Sequence, residues 1–333
     1  MRILQLCKKF PFPLKDGESI AVNTLSRSLH AAGAEMTLLA MNTVKHYYEG
    51  AELPSELDFY RAVHTTKLDN RIKLWDAFRN LFSRESYHVE RFVSPAFRDQ
   101  LVRLLRAGEY EVVQLETLYL APYIPHIRRH SDALIALRTH NVEHEIWERI
   151  SNNTRSLFKK WYLQHLTAKL KRYEAAQLDR CDMLIPISER DLSCFRRMGA
   201  RTTAAVTPIG IDPAAYAPDY RSYQRPTTVS FIGSLDWMPN QEGLRWFLQK
   251  VWGPRLQESG PPLHIAGRNT PDWLFRTRLK NVFVHGEVGD AAKFINAHNI
   301  MVVPLLSGSG MRAKILEGMA LGKVVLTTRL GLE

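Results

Sequence analysis

The amino-acid sequence predicts an α/β protein made of two Rossmann-like, doubly wound domains that face a cleft. Short β-branched or aliphatic runs alternate with amphipathic segments along the whole chain, as in parallel sheets built from βαβ units. With 333 residues, 45% of them hydrophobic, the chain has enough apolar material for about two ordinary domains. A stretch with four prolines, TPIGIDPAAYAPDYRSYQRP, separates the two series of runs. We therefore expect one domain over residues 1–205 and another over residues 206–333.

The strands follow from the apolar runs. In the first domain they are expected at Ile3–Leu6, Met36–Ala40, Val112–Glu116, Leu134–Thr139 and Met183–Ile187. In the second domain they are expected at Val229–Ile232, Leu263–Ala266, Val282–His285, Met301–Pro304 and Val324–Thr327. Helices fill the intervals, and Gly33 closes the first of them, Ser19–Ala32. Because ligands bind at the carboxyl ends of strands in such sheets, residues just after strands are the main candidates for function.

The net charge indicates which class of partner the protein binds, and the cysteine content indicates the cellular compartment. The net charge of +11 favours anionic partners, such as nucleotides, sugar phosphates, acidic lipids or nucleic acid. Three cysteines without CxxC spacing indicate reduced thiols. The longest apolar runs, such as MVVPLL, are far shorter than the roughly 20 residues of a spanning helix. We expect a cytoplasmic protein, with at most a peripheral contact at the inner face of a membrane.

A glycine- and serine-rich loop precedes a predicted helix that opens with Arg312 and Lys314. Two cations at a helix N-terminus oppose the helix dipole unless an anion binds there. Backbone N–H groups of Ser309, Gly310 and Met311 would point at the same place, as at helix starts that hold phosphates. This segment therefore predicts a phosphate site.

Glu317 shares a helical face with Gly310, seven residues earlier. Because a carboxylate repels phosphate, its expected partner is a neutral donor pair, such as ribose hydroxyls. The loop and Glu317 together predict a nucleotide site. The structural alternative is a capped surface helix, with Ser309 as N-cap and Lys314 paired with Glu317.

Two residues of the first domain follow predicted strands. His140 comes after the strand Leu134–Thr139, and Gly17 lies between the first strand and the first helix, where a missing side chain permits close approach of a ligand. A hydrogen-bonded structural histidine and a turn glycine are the alternatives. The letters HNVEH also match H-x-x-E-H, a zinc-peptidase pattern. That pattern needs both histidines on one helix face and a third ligand, which the sequence does not supply.

A basic segment, RSLFKKWYLQHLTAKLKRYE, invites comparison with a membrane-surface helix. At 100° per residue its apolar stripe comprises Phe158, Tyr162, Leu166 and Leu170. Lys169 and Arg172 fall inside or beside this stripe. We therefore expect core packing with a solvated basic side.

Several of these segments resemble retaining glycosyltransferases of family 4, which have the GT-B fold of two Rossmann-like domains. The donor-site segment of that family resembles GSGMRAKILEGMALGKVVLTT, and its N-terminal glycine loop resembles FPLKDGES. The start of its second domain resembles PIGID, and its strand-end turns around the nucleotide resemble FIGSLDWMPN, HIAGR and VFVHGEV.

The resemblance implies that Glu317 binds the ribose of a nucleoside diphosphate sugar. It implies a histidine beside the donor sugar, here His140, that orients or polarises the reactants. The remaining donor-side residues that it implies are Gly233, Ser234, Gly267, Arg268, Glu287, Ser309, Gly310, Met311 and Arg312. Gly17 and Asn141 are assigned to the acceptor side.

Three departures from the family pattern shape the assignment. Where many members have a further glutamate this chain has Ser309, and where many have Arg and Lys it has Ser234 and Asn240. We therefore assign the phosphate charge to Arg312 and Lys314, which with His140 form the expected catalytic set. The chain stops at TTRLGLE, where members usually continue, so an incomplete second domain is expected.

The expected function is transfer of a sugar from a nucleoside diphosphate sugar to a saccharide or lipid-linked saccharide, with retention of configuration, in polysaccharide or glycoconjugate biosynthesis. No metal, no cofactor and no nucleic-acid partner is expected, and contact with a membrane would be peripheral. The alternatives are a nucleotide-sugar epimerase on the same fold, and a protein that binds nucleotide sugars or nucleic acid without turnover.

Overall fold

A computed structural model of the chain describes residues 1–14, 16–44, 47–49, 53–72, 75, 79–81, 83, 85–154, 156–306 and 313–332. Its internal contacts divide the chain into two compact units, Met1–Ile209 and Gly210–Glu333. The predicted boundary, between residues 205 and 206, lies just before this division. Each unit contains one parallel sheet with helices in the connections, so the predicted α/β class is confirmed.

The sheet of unit 1 has seven strands in the order β3-β2-β1-β4-β5-β6-β7, and every neighbouring pair is parallel. The strands are β1 (Arg2–Cys7), β2 (Glu35–Thr43), β3 (Tyr60–Leu68), β4 (Val112–Leu115), β5 (Leu134–Thr139), β6 (Met183–Pro186) and β7 (Thr203–Ala204). The two edge strands, β3 and β7, were not among the predicted strands. The central strands are buried on both faces, which explains why their residues are largely apolar.

The helices of unit 1 whose bounds lie within the described residues are α1 (Gly17–Ala31), α2 (Tyr87–Glu90), α3 (Pro95–Ala107), α4 (Ile124–His130), α5 (Glu143–Asn152), α6 (Leu157–Gln177) and α7 (Glu189–Arg197). Asp16 caps α1 by accepting a hydrogen bond from the Ser19 N–H, and Gly33 ends the turn after it with a φ of 90°. Among the described residues of unit 1, 3₁₀ segments lie at Ser55–Leu57 and Leu118–Tyr123.

Helix α6 is the basic segment, and it corrects one part of the prediction. Leu166 and Leu170 are buried as expected, and Lys169 is buried beside them, with its ammonium donating to the backbone of Asn80. Phe158, however, is 79% exposed, because the first turn of α6 lies beyond the packed part of the helix. The apolar stripe therefore begins later along the helix than predicted.

The sheet of unit 2 has five parallel strands in the order β10-β9-β8-β11-β12. The strands are β8 (Val229–Ile232), β9 (Leu263–Ala266), β10 (Val282–Gly286), β11 (Ile300–Val303) and β12 (Val324–Thr327). All five predicted strands of the second series are present, two of them shifted at their ends by one residue. Phe231, Leu244, Trp252 and Ile265 form the centre of the core.

The helices of unit 2 are α8 (Met238–Trp246), a π-helical segment (Phe247–Leu256), α9 (Asp272–Phe275), α10 (Ala291–Asn296) and α11 (Ala313–Ala320). Short 3₁₀ turns occur at Pro213–Ala215, Tyr220–Gln224 and Arg329–Leu332. Within the part of the chain that is described, no helix is both long and apolar enough to cross a bilayer.

Each sheet has one point where the strand order reverses. In unit 1 the chain moves outward from β1 to β2 and β3, then returns to β4 on the other side of β1. In unit 2 the same reversal lies between β8 and β11. The loops that leave two such strands diverge and open a crevice at their carboxyl ends. These two switch points are therefore the candidate ligand sites.

Candidate functional site

The switch point of unit 2 is bridged by Lys314. This residue lies on α11, after β11, and its ammonium donates a 2.8 Å hydrogen bond to Oδ1 of Asn240, on the β8 side. The Asn240 side-chain amide in turn donates to the Ser234 carbonyl at 2.8 Å. The ammonium also lies only 2.8 Å from where a Cβ on Gly233 would stand. A cation is thus held directly above the turn that follows β8, as a phosphate site requires.

Gly233 and Gly267 allow the ends of β8 and β9 to come together. A Cβ on Gly267 would lie 2.0 Å from the Gly233 carbonyl oxygen, a distance that no side chain can occupy. The Leu235 N–H donates to the Arg268 carbonyl at 2.8 Å, which ties the same two turns together. The structure therefore places these predicted donor residues at adjacent strand ends, with the exposed Glu287 following β10 next to them.

Glu317 lies one turn after Lys314 on α11 and is partly buried. Its Oε1 accepts a hydrogen bond of 3.1 Å from the hydroxyl of Tyr216, and burial raises the pKa of its carboxyl group. Tyr216 packs, as Ile315 does, against a small cluster of buried apolar residues that includes Met301 and Leu321. Tyr216 was not among the predicted site residues, although it stands four residues after the PIGID motif.

The other predicted donor residues lie outside the described residues. They are Ser309, Gly310, Met311 and Arg312. The assignments made to them, and to the site residues in general, stay predictions.

The switch point of unit 1 holds a buried carboxylate, Glu116, directly after β4. His140 Nε2 lies 2.9 Å from Glu116 Oε2, and Arg138 Nη1 lies 3.3 Å from the same oxygen. Gln5 donates to Oε1 at 2.5 Å, and Gln114 donates to it as well. Burial alone would raise the pKa of Glu116, but the Arg138 charge and the hydrogen bonds lower it to about 2. The group is therefore a carboxylate at neutral pH.

Three buried polar atoms at the carboxyl ends of β4 and β5 have no hydrogen-bond partner within the described ranges. They are Thr117 Oγ1, Thr139 Oγ1 and His140 Nδ1. Unpaired buried polar atoms are uncommon in folded proteins, so these three mark the ends of β4 and β5 as a candidate ligand site.

The remaining residues of HNVEH lie in a second network. His144 Nδ1 is 2.6 Å from Glu174 Oε2, and Glu174 also accepts the backbone N–H groups of Glu143 and His144. Glu143 accepts a 2.8 Å hydrogen bond from the Tyr119 hydroxyl, and burial raises its pKa to about 7.

The zinc-peptidase alternative therefore fails on geometry. His140 follows a strand and faces Glu116, whereas His144 lies in α5 and faces Glu174. The described residues contain no group of three or more His, Cys, Asp or Glu side chains arranged to hold a metal ion.

Charged pairs line the loop after β1. Lys8 lies 3.2 Å from Glu18, and Lys9 lies 2.6 Å from Asp16. Gly17 begins α1 between these pairs, and a Cβ on it would meet nothing within 4 Å. No atom of the described residues lies close to this Cβ position of Gly17, so the predicted close approach of a ligand there stays a prediction. Asn141, partly buried, follows His140 at the end of β5.

Comparison with known proteins gives one family match and many related folds. Residues 226–333 match the family model described as Glycosyl transferases group 1. An uncharacterized 44.6 kDa protein in the cps region of Klebsiella pneumoniae is 26% identical over 212 residues, which are 59% of this chain and 52% of that protein. The match thus spans about half the length of this curated relative.

Solved structures with the same fold cover nearly the whole chain. Sucrose-phosphate synthase from Thermosynechococcus elongatus aligns with a TM-score of 0.68 at 16% identity, over 99% of this chain and 82% of its own. Anabaena HepE, solved with UDP-glucose, aligns with a TM-score of 0.65 at 14% identity, over 99% of this chain and 81% of the HepE chain. At such identities the likeness establishes the fold. With the family match, it supports a glycosyltransferase of the GT-B type.

Proposed function

We propose that the chain transfers a sugar from a nucleoside diphosphate sugar to a saccharide or lipid-linked saccharide acceptor, with retention of anomeric configuration. The observation that carries this proposal is the placement of Lys314 and Glu317 together on α11, at the switch point of unit 2. Lys314 reaches Asn240 and Gly233 across that point, and Glu317 is held by Tyr216. Both residues lie within the segment that matches the glycosyltransferase model.

The charges suit the reaction. Negative charge develops on the diphosphate oxygens as the bond to the sugar breaks, and a fixed cation stabilises it. Lys314 is placed for this role, and Arg312, two residues earlier in the sequence, is the second cation that we assign to it. Glu317, one turn further along α11, is suited to accept hydrogen bonds from ribose hydroxyls. Side chains thus supply the charge that a metal ion supplies in other transferases.

The acceptor side is assigned to unit 1, with His140, Asn141 and Gly17. The relative in a cps region supports a role in polysaccharide biosynthesis. A cytoplasmic location, with peripheral contact to the inner face of a membrane if the acceptor is lipid-linked, belongs to the same proposal.

The first test is binding of nucleotides to the full chain. UDP, GDP and ADP, each with and without glucose attached, are compared in a thermal-shift series, beginning with UDP-glucose because HepE was solved with it. We expect one nucleoside diphosphate to raise the melting temperature, and Glu317→Ala to remove the effect. Glu258→Ala, at an exposed carboxylate paired with Lys280, is the control. If no nucleotide stabilises the protein, or both variants respond alike, the donor site is wrongly assigned.

The second test separates transfer from the alternatives. Release of nucleoside diphosphate that requires an added saccharide acceptor indicates transfer, whereas interconversion of donor sugars without release indicates an epimerase. Binding without either reaction indicates a protein that does not turn over. The anomeric configuration of the first product, measured by NMR, decides between retention and inversion.

A further inference from the structure

We propose that Glu116 is a positioning residue that holds His140 in the tautomer with the proton on Nε2, so that Nδ1 presents a lone pair to the acceptor hydroxyl. This inference rests on the proposed transfer reaction and adds a residue to it. Glu116 directly follows β4, and its backbone N–H donates to the Leu6 carbonyl of β1 at 3.0 Å. It therefore stands at the switch point itself, between the two strands whose loops diverge.

The surroundings of Glu116 fix its role as a hydrogen-bond acceptor. Arg138 is a permanent cation 3.3 Å away, and Gln5 and Gln114 both direct amide N–H groups at Oε1. Glu116 and His140 are both buried, the carboxylate to 1% side-chain exposure. A carboxylate in such surroundings has no proton to give, so the group 2.9 Å away at His140 Nε2 must be the donor.

Whether Nε2 carries the proton determines whether Nδ1 carries one. A neutral imidazole carries one proton, and when Nε2 donates, Nδ1 is an acceptor. His140 Nδ1 is buried and has no acceptor or donor opposite it among the described residues. The hydroxyls of Thr117 and Thr139, at the ends of the same two strands, are also unpaired. A ligand hydroxyl at Nδ1 would supply the partner that His140 lacks.

The tautomer has a chemical consequence for transfer. A lone pair of the acceptor oxygen forms the new bond to the anomeric carbon, while the bond from that carbon to the diphosphate oxygen breaks and its electron pair leaves with the diphosphate. The acceptor proton passes to Nδ1 and is then released to water, which returns His140 to its starting state. Glu116 stabilises the imidazolium that exists between these two proton transfers.

The chain contains a matched histidine with the opposite arrangement. In His144 it is Nδ1 that lies 2.6 Å from a carboxylate, Glu174 Oε2, and that carboxylate is equally buried. The same argument gives His144 a proton on Nδ1 and a lone pair on Nε2. The two histidines should therefore show opposite tautomers in a single measurement.

The direct test is long-range ¹H–¹⁵N correlation NMR of the full chain labelled with ¹⁵N-histidine, near neutral pH. His140→Gln and His144→Gln assign the two rings. We expect a pyridine-type Nδ1 for His140 and a pyridine-type Nε2 for His144. A protonated Nδ1 on His140, or a ring that exchanges between tautomers, would overturn the inference. This result does not depend on activity, so it stands apart from any failure of the proposed transferase function.

The functional test is Glu116→Gln, with Glu174→Gln as the matched loss of a carboxylate from a buried histidine pair. For Glu116→Gln we expect kcat to fall by about 10²–10⁴-fold, as when a catalytic histidine loses its orienting carboxylate. The affinity for UDP or UDP-glucose should stay within about twofold, because the nucleotide site is in unit 2. If both variants lose activity only in proportion to their loss of folded protein, Glu116 has no positioning role. The NMR measurement on the unaltered chain remains decisive if Glu116→Gln does not fold.

Discussion

The hydroxyl of Tyr216 donates a 3.1 Å hydrogen bond to Oε1 of Glu317, which joins the first turns of unit 2 to the helix after β11. Burial raises the pKa of the Glu317 carboxyl group, whereas the hydrogen bond from Tyr216 acts to lower it. A carboxylate whose first oxygen is fixed in this way holds its second oxygen in a defined direction. The ribose role that we propose for Glu317 needs such a fixed acceptor.

Tyr216→Phe should weaken nucleotide binding without disrupting the fold. Loss of one hydrogen bond costs about 0.5–1.5 kcal/mol, so we expect affinity for the binding nucleoside diphosphate to fall by roughly 2- to 10-fold in calorimetry. Tyr223→Phe is the control, because Tyr223 donates to the backbone carbonyls of Asn299 and Gly322 in the same unit. Equal losses of affinity in the two variants would show that Tyr216 acts only through stability.

Lys314→Met should remove the phosphate part of the binding energy. A hydrogen bond to a charged group contributes about 1.5–3 kcal/mol, so affinity for the nucleoside diphosphate should fall by about 10- to 100-fold, while the weak affinity for the nucleoside changes little. Lys280→Met removes an exposed lysine that is paired with Glu258 and serves as the control. If nucleoside and diphosphate lose affinity in the same ratio, Lys314 does not contact phosphate.

Gly267→Ala should destabilise unit 2. The added Cβ would lie 2.0 Å from the Gly233 carbonyl, so the ends of β8 and β9 must separate. Overpacking of this kind costs about 1–3 kcal/mol or more, and the turn that carries Gly233 would shift away from Lys314. Gly289→Ala is the control, since a Cβ there would meet nothing within 4 Å. Chemical denaturation of both variants measures the difference, and equal unfolding free energies would contradict the prediction.

The fold of unit 2 could be predicted from sequence because its strands are short apolar runs bounded by glycine or proline. The strand β3 of unit 1 could not, because it is an edge strand in which exposed polar residues such as Thr65 and Lys67 are interspersed with partly buried ones. The exposed Phe158 was mispredicted for a related reason: helical periodicity gives the face of a helix but not the point along it where its neighbour ends.

The site residues could likewise be predicted only where they are close together in the sequence. The loop around Lys314 could be recognised because its residues are adjacent in sequence. The pairs that hold the catalytic candidates could not, since Glu116 and His140 are 24 residues apart and Tyr216 and Glu317 are 101 apart. Glu116 meets His140 because β4 and β5 are neighbours, with Leu115 opposite Leu137. Only strand order and register create that contact, and neither is written in a local motif.

Acid should destabilise unit 2 through His298. This histidine stacks on His264 with ring centroids 4.5 Å apart, and His264 Nδ1 lies 2.9 Å from His285 Nε2. Burial, and then the neighbouring charges of His264, His285 and Lys323, lower the pKa of His298 to about 4. An unfolded histidine titrates near pH 6.5, so between about pH 6.5 and 4 the unfolded chain binds more protons than the folded one. The contribution of His298 to the unfolding free energy is therefore fully present above pH 6.5 and is lost as the pH falls from about 6.5 to 4.

The slope from one such group reaches at most about 1.4 kcal/mol per pH unit. Urea unfolding of the full chain between pH 7 and pH 4.5 measures it, with His298→Gln beside the unaltered protein. We expect the variant to be less stable at pH 7, because it loses the stacking and the 3.0 Å contact with Thr228, but to lose less stability on acidification. Burial lowers the pKa of His88 in unit 1 to about 3, so His88 also makes the protein less stable in acid. His88 is unchanged in the variant, and its effect is therefore the same in both proteins. Equal slopes for the two proteins would show that His298 does not carry the acid sensitivity.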